Sequence, residues 1–311
     1  MDSKSTQAHG GRRLRLVVSA GLAAVAAGAV VVSVSQASGD DPGAPSAAST
    51  VLPPLELEPG VVHVHGLGVD PGDGVLYAAT HSGLFRIPEQ GVASSVANRA
   101  QDTMGFSVVG PGQFIGSGHP DVREDDLRPP LLGLISSADR GETWQPLSLR
   151  GEADFHALEA AHSSVYGYDA TSQTFMVSTD REQWDRRSQL GLADFAVDPA
   201  DPDVVLATTE RGLLRSTDGG RTWSPVAGAP LLQVVSWAGQ GPLYGVTPDG
   251  TVQRSPDGGT SWEERGSVGG PPEAITVDVR DGGQVLYVAA SGRGIVVSAD
   301  EGRTFTTFYT D

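Results

Sequence analysis

The sequence predicts an all-β protein, a six-bladed β-propeller with a hydrophobic signal or anchor helix at its N-terminus. Three observations lead to this prediction. An uncharged apolar run follows a basic N-terminal flank, and the chain beyond residue 60 repeats with a period of roughly 40 residues. The 311 residues also include 41 Gly and 21 Pro but few aromatics, a composition that suits many short strands joined by turns.

The N-terminal region has the features of a targeting segment. Residues 1–15 form a basic cytoplasmic flank with three arginines, and residues 16–34 form an apolar run suited to a signal peptide or a single transmembrane anchor. Residues 35–59 are rich in Ser, Ala, Pro and Gly, which is typical of a flexible linker. Because the flank is positive, we expect the remainder to be extracytoplasmic, either membrane-anchored by a single pass or secreted.

Charge and cysteine content exclude several classes of partner. The net charge of −17 repels phosphate backbones, so no nucleic acid is expected to bind. The chain contains no cysteine, which excludes disulfides and thiolate metal sites. We expect contact with a membrane only through the N-terminal segment.

An octet repeat organises residues 60–311. Four octets nearly match, and a fifth is one residue short: "SADRGETW" (137–144), "STDGGRTW" (216–223), "SPDGGTSW" (255–262), "SADEGRTF" (298–305) and "STDREQW" (178–184). Their serines are 38 to 43 residues apart, and apolar runs such as "VLYAAT" (75–80) precede them. One period therefore holds four short strands, the content of a propeller blade.

The repeat predicts six blades. The first unit lacks an octet, but its "LYAATHSGLFRI" aligns without a gap on "LATTERGLLRS" (206–216). The predicted units are 60–100, 101–151, 152–191, 192–229, 230–269 and 270–311.

The octets resemble the Asp-box (BNR) repeat of sialidases, sortilin-type receptors and photosystem-assembly-factor-like propellers. With "HVHGLGVDP", "QDTMGF" and "GSGHPD", the chain is similar to exported bacterial proteins described as glycosyl hydrolase or exo-sialidase-like. In such a repeat the Asp side chain bonds to the backbone of its own turn, Gly supplies a positive φ and Trp packs between blades. We therefore expect a structural role for Asp139, Asp180, Asp218, Asp257 and Asp300.

Sialidase chemistry itself is disfavoured. The resemblance implies an arginine in a Phe-Arg-Ile-Pro motif on an innermost strand, and "FRIP" occurs at 85–88. However, Arg86 aligns with Arg215, which precedes an Asp box on the third strand of its blade. The family's Tyr nucleophile and its Glu partner also have no clear match, so only other glycosidase activities stay open.

Histidines are expected to converge on one rim of the propeller. In an antiparallel blade, the start of the first strand and the end of the second share a rim, and the Asp boxes occupy the opposite one. In three adjacent blades this rule places six metal-ligand candidates on the first rim: His63, His65, His81, Met104, His119 and His156. Since strands have period two, the rings of His63 and His65 are expected to point to one face.

Carboxylates accompany the histidines. Asp102, Asp154 and Asp194 each precede a first strand, and Glu273 holds a roughly equivalent position in blade 6. The insertion at 120–130 lies in a connection on the same rim and could cover a site there.

Several hypotheses for this rim stay open. A metal site is one, because imidazole is a common ligand and a thioether favours copper. A glycoside hydrolase site is another, in which two of Asp102, Asp154 and Asp194 act as acid and as nucleophile or base. A scaffold that recruits an envelope protein or a glycan is a third, and histidines that merely line a wet channel are a fourth. We expect a ligand-binding propeller. The most specific form of this hypothesis is that the ligand is a copper-type ion.

Overall fold

The computed structural model describes residues 60–123, 129–239, 241–280 and 282–310. The predicted helix at 16–34 and linker at 35–59 lie outside them. In the described part, 24 strands form six antiparallel four-stranded sheets, each built from consecutive strands, which confirms the six-bladed propeller. Within these residues no helix is long and apolar enough to cross a membrane.

Blades 1 to 3 fall inside the first three predicted repeat units. Blade 1 comprises β1 (Val64–Val69), β2 (Leu76–Thr80), β3 (Gly83–Ile87) and β4 (Ser94–Ser95). Blade 2 comprises β5 (Asp102–Gly110), β6 (Gln113–His119), β7 (Leu134–Ser137) and β8 (Gln145–Ser148). Blade 3 comprises β9 (Phe155–Ala161), β10 (Ser164–Asp169), β11 (Thr174–Ser178) and β12 (Asp185–Gln189).

Blades 4 to 6 likewise follow the repeat. Blade 4 comprises β13 (Asp194–Val197), β14 (Val205–Thr209), β15 (Gly212–Ser216) and β16 (Ser224–Pro225). Blade 5 comprises β17 (Val234–Ser236), β18 (Leu243–Val246), β19 (Thr251–Ser255) and β20 (Glu263–Ser267). Blade 6 comprises β21 (Pro272–Arg280), β22 (Gly283–Ala290), β23 (Gly294–Ser298) and β24 (Thr306–Tyr309).

The hydrophobic core lies between blades. Each of six buried clusters joins two neighbouring blades, and the ring is closed by the one that contains Val64 of blade 1 and Ala274 of blade 6. A hydrogen bond of 3.0 Å from the Val64 N–H to Oε2 of Glu273 crosses the same seam. Blade 6 supplies all four of its own strands, so closure needs no strand exchange.

The Asp boxes form self-contained turns. Oδ1 of Asp218 accepts hydrogen bonds from the Ser216 hydroxyl at 2.8 Å and the Thr222 N–H at 2.9 Å. Together with the Thr222 hydroxyl bond to Oδ2, these bonds lower the pKa of Asp218 to about 2. Gly220 takes the positive φ of 88° that the turn requires. Similar bonds hold Asp139, Asp180, Asp257 and Asp300. These contacts agree with a structural role.

The aromatic residue of each box fills a seam. Trp223 of blade 4 packs edge-on against Phe175 of blade 3, with ring centroids 5.5 Å apart, and donates a hydrogen bond to the Ser188 hydroxyl. The equivalent aromatics each join the cluster shared with the preceding blade: Trp144, Trp184, Trp262 and Phe305. The boxes thus fasten one blade to the next.

Candidate functional site

β-Bulges occur near the start of the innermost strand in four blades. The bulge residues are His65, Met104, His156 and Glu273. A bulge adds one residue to its strand and redirects the side chain there. A central cavity of about 650 Å³, lined by the innermost strands, includes His65, His156 and Glu273 in its wall. Three of the four bulge residues are therefore polar and lie in the wall of this cavity.

Asp102 is the centre of a histidine cluster. It begins β5 and pairs directly with His119, the last residue of β6, because the two strands run antiparallel. The Asp102 carboxylate lies 3.2 Å from Nδ1 of His81, 3.4 Å from Nδ1 of His119 and 3.7 Å from Nε2 of His65. One ligand atom each from His65, His81 and Asp102 lies within 4.8 Å of the other two.

Asp154 forms the second half of the cluster. Its Oδ2 lies 3.0 Å from Nε2 of His156 and 3.8 Å from Nε2 of His119. The imidazole of His119 therefore lies between the carboxylates of Asp102 and Asp154, with one ring nitrogen facing each. We refer to Asp102, Asp154 and the four histidines at positions 65, 81, 119 and 156 as the rim cluster.

The pKa values of two histidines of the rim cluster, His65 and His119, shift in opposite directions. Desolvation lowers the pKa of His65 to about 4, so its ring is neutral at neutral pH. A hydrogen bond to Asp102 raises the pKa of His119. Three atoms here are buried and lack a hydrogen-bond partner, namely Nε2 of His65 and Oδ1 of both Asp102 and Asp154. Buried polar atoms are nearly always satisfied, so these three leave coordination capacity open.

His63 does not join the rim cluster in the way that strand alternation predicts. It precedes β1, is exposed and has a positive φ of 52°, so the period of a strand does not apply to it. It lines a separate hollow beside Arg293 of blade 6. The expectation that both His63 and His65 lie on the strand was therefore wrong for His63, although its charge still contributes to lowering the pKa of His65. Met104 lies on β5 at a bulge, two residues after Asp102, and is half-buried.

Two of the four predicted carboxylates link blades instead of facing the histidines. The carboxylate of Asp194 accepts hydrogen bonds from the backbone N–H of Phe195 at 2.9 Å and of Val235 in blade 5 at 2.8 Å. Glu273 accepts the bond from Val64 across the closing seam. Burial raises the pKa of Asp194 to about 7.

Glu159 is a channel carboxyl that the repeat pattern does not single out. It lies on β9 in the cavity wall and accepts a hydrogen bond of 3.0 Å from the Val197 N–H of blade 4. Burial, reinforced by the nearby Asp194, raises its pKa to about 8. The one available signal is a single acid inside the otherwise small and apolar stretch "ALEAA" (157–161).

Arg86 lies where the repeat alignment places it. It is on β3, the third strand of blade 1, and its guanidinium is 3.8 Å from Oδ2 of Asp73, in the loop between β1 and β2. The ion pairs described for Asp102 and Asp154 are all with histidines. The arginine of the "FRIP" motif therefore lies away from the rim cluster.

Comparison with known proteins agrees with the architecture. The model of the BNR/Asp-box repeat family matches residues 214–225, which hold the box of blade 4. The chain is a six-bladed β-propeller with BNR/Asp-box repeats. A xyloglucanase of Hypocrea jecorina (strain QM6a) is 32% identical to this BNR propeller over 156 residues. The match takes in 45% of the propeller chain but 18% of the xyloglucanase, so the chain spans less than a fifth of that relative.

Two solved structures share the fold of this BNR propeller at low identity. A nidogen/laminin complex superposes with a TM-score of 0.57 at 13% identity, covering 75% of this chain and 91% of the matched one. An ancestral GH74 enzyme has a TM-score of 0.51 at 13% identity, covering 78% of this chain and 37% of the enzyme. At these identities the likeness concerns the fold.

Proposed function

We propose that this propeller is an extracytoplasmic protein that binds a copper-type metal ion through His65, His81 and Asp102, with His119 as a further ligand. The observation that carries the proposal is the convergence of three ligand atoms within 4.8 Å of one another. Two of the contributing side chains also hold buried atoms without partners, Nε2 of His65 and Oδ1 of Asp102. A cation between them would satisfy both.

The spacing of the ligand atoms supports coordination. Around an ion with bonds of about 2.0–2.2 Å, adjacent ligand atoms lie roughly 3–3.6 Å apart. The contacts of Asp102 with His81, His119 and His65 span 3.2 to 3.7 Å. The three ligand atoms lie within 4.8 Å of one another, so binding requires the imidazoles to close in on the ion.

The donor set favours late first-row metals. Imidazole with carboxylate suits Cu, Zn, Ni and Fe, and among divalent ions Cu(II) binds such ligands most tightly. Met104 is the blade-2 bulge residue, and His65 and His156 are the bulge residues of blades 1 and 3. A thioether at this position would add a soft donor that favours copper.

Calorimetric titration of the purified protein with Cu(II) and Zn(II) tests the proposal. We expect tight binding that is lost in His65→Ala/His81→Ala and retained in His162→Ala, an exposed histidine whose ring bonds to the Asp198 carbonyl. His63→Ala should also retain binding, because His63 lies outside the rim cluster. Equal affinity in the wild type and the double variant would refute the metal site.

A glycoside hydrolase is the second candidate, favoured by the identity with the xyloglucanase. Asp102 and Asp154 are two carboxyls on either side of one imidazole, and a pair of carboxyls is what glycosidases use. Asp194 is less suited, since both its oxygens accept backbone bonds. Hydrolysis of xyloglucan or aryl-glycosides that Asp154→Asn abolishes and His162→Ala leaves intact would support this candidate. Absence of turnover on both substrates would count against it.

A further inference from the structure

The rim cluster extends beyond the three residues whose ligand atoms lie within 4.8 Å of one another. Beyond His65, His81 and Asp102, it holds a second carboxylate with its own imidazole, Asp154 with His156. We propose that the rim cluster holds two cations, and that the second lies on Asp154 between His119 and His156. This inference rests on the proposed metal-binding function and concerns how many ions the same rim takes.

Asp154 has the properties of a metal ligand in its own right. Its side chain is 9% exposed, yet its Oδ1 has no hydrogen-bond partner. Its Oδ2 lies 3.0 Å from Nε2 of His156 and 3.8 Å from Nε2 of His119. These distances fall within, or a few tenths of an ångström outside, the spacing of adjacent ligands around one ion. A nine-tenths-buried carboxylate with a free oxygen is costly unless a cation or a donor reaches it.

The geometry of His119 separates the two positions. Its Nδ1 lies 3.4 Å from Oδ2 of Asp102, and its Nε2 lies 3.8 Å from Oδ2 of Asp154. The two nitrogens of an imidazole point in diverging directions, so one ion cannot coordinate through both. A neutral ring has a lone pair on only one nitrogen, so His119 binds both ions only if its N–H proton leaves to water when the second ion binds. An ion on Asp102 therefore lies on one side of the ring and an ion on Asp154 on the other.

The two positions are expected to differ in their affinity for a cation. The position on Asp102 has two imidazoles whose ligand atoms lie within 4.8 Å of the carboxylate and of each other, whereas Asp154, His156 and the shared His119 do not form such a group and must move closer together to hold an ion. The second cation also experiences the charge of the first. We therefore expect sequential binding, with the Asp102 position filled first.

Counting bound Cu(II) tests the inference. The wild-type protein is titrated with Cu(II) by calorimetry, and the copper retained after desalting is measured by elemental analysis. We expect two ions per chain, the second weaker, with magnetic interaction between them in the electron paramagnetic resonance spectrum. His156→Ala, a change at an exposed residue, should bind one ion and lose that interaction, and Asp154→Asn should behave alike. His162→Ala should still bind two.

The outcomes separate this inference from the proposed function. One ion in the wild type, with no further loss in His156→Ala, overturns the second position but leaves the first. No ion above the level of the His65→Ala/His81→Ala variant overturns both. Two ions in His156→Ala, without magnetic interaction, would place the second ion elsewhere and also overturn the inference.

Discussion

The channel carboxyl of Glu159 predicts an unusual dependence of stability on pH. Its pKa is raised from 4.5 to about 8, because the propeller interior disfavours the carboxylate and Asp194 lies near it. Between these two pH values the unfolded chain loses this proton while the folded chain keeps it. The unfolded state is therefore favoured as pH rises through this window, and the free energy of unfolding falls. The change to Glu159→Gln removes the proton while retaining a carbonyl that can accept the bond from Val197.

The size of the effect follows from the shift. At about 1.4 kcal/mol per pH unit, a pKa that rises from 4.5 to about 8 corresponds to at most about 5 kcal/mol. Glu159 interacts with Asp194, whose pKa is about 7, so the two carboxyls ionise as a pair rather than independently. We expect that Glu159→Gln raises the free energy of unfolding at pH 8 by about 2–3 kcal/mol relative to wild type. At pH 4.5 the difference should be small.

Urea unfolding followed by tryptophan fluorescence at pH 4.5, 6, 7 and 8 measures this difference. The matched control is Glu152→Gln, an exposed glutamate of the same chain segment, which removes one charge without removing a channel carboxyl. The difference between Glu159→Gln and wild type should grow with pH, whereas that of the control should stay constant. A Glu159→Gln curve parallel to wild type over the whole range would refute the assignment of a protonated carboxyl to the channel.

Three further predictions concern the seams, the rim and the Asp boxes. Phe175→Ala should reduce the free energy of unfolding by about 3–5 kcal/mol, seen in the urea midpoint, because Phe175 is fully buried between blades 3 and 4. Gly118→Ala should lower both thermal stability and Cu(II) affinity, since its Cβ would lie 2.1 Å from the Asp102 carbonyl oxygen. The pKa of Asp218 is lowered to about 2, so its stabilising bonds are present above pH 4 and are lost as pH falls towards 2. We expect the melting temperature of Asp218→Asn to depend less on pH over this range than that of the wild type.

The blades were predictable because each repeat contains its own turn and strand signals. The serine, aspartate and glycine of an octet determine one turn, and the apolar runs before it determine the strands. This is why the strands of blade 6 fall inside 270–311. Contacts between repeats were harder to predict from the sequence. Glu159 accepts a hydrogen bond from the backbone of Val197, 38 residues away, and the local sequence "ALEAA" contains no pattern that predicts this partner.

For the rim, the sequence predicted which residues lie at the same end of the blades. Strand order and antiparallel pairing place Asp102 and His119 on the same rim, and the register observed in the structure pairs them directly. The bulges were not predictable, because they depend on how an inner strand enters the sheet. His65 is redirected by its bulge, while His63 turns away at φ 52° before the strand begins. A rule of alternation assumes an extended backbone at both positions, and only one of them is on the strand.

The Asp102 carboxylate is free of the blade seam because a different group accepts the hydrogen bond there. In blade 4, Asp194 accepts the Val235 N–H from the innermost strand of the next blade. The aligned residue of blade 2 is Asp102, but there the Ser117 hydroxyl accepts the Phe155 N–H from the next blade. Because the hydroxyl takes over this bond, Asp102 is released from sealing the seam and is left with imidazole partners. We therefore expect Ser117→Ala to draw Asp102 towards the backbone and to weaken Cu(II) binding. Unchanged affinity in a folded Ser117→Ala protein would show that the rim cluster does not depend on this exchange.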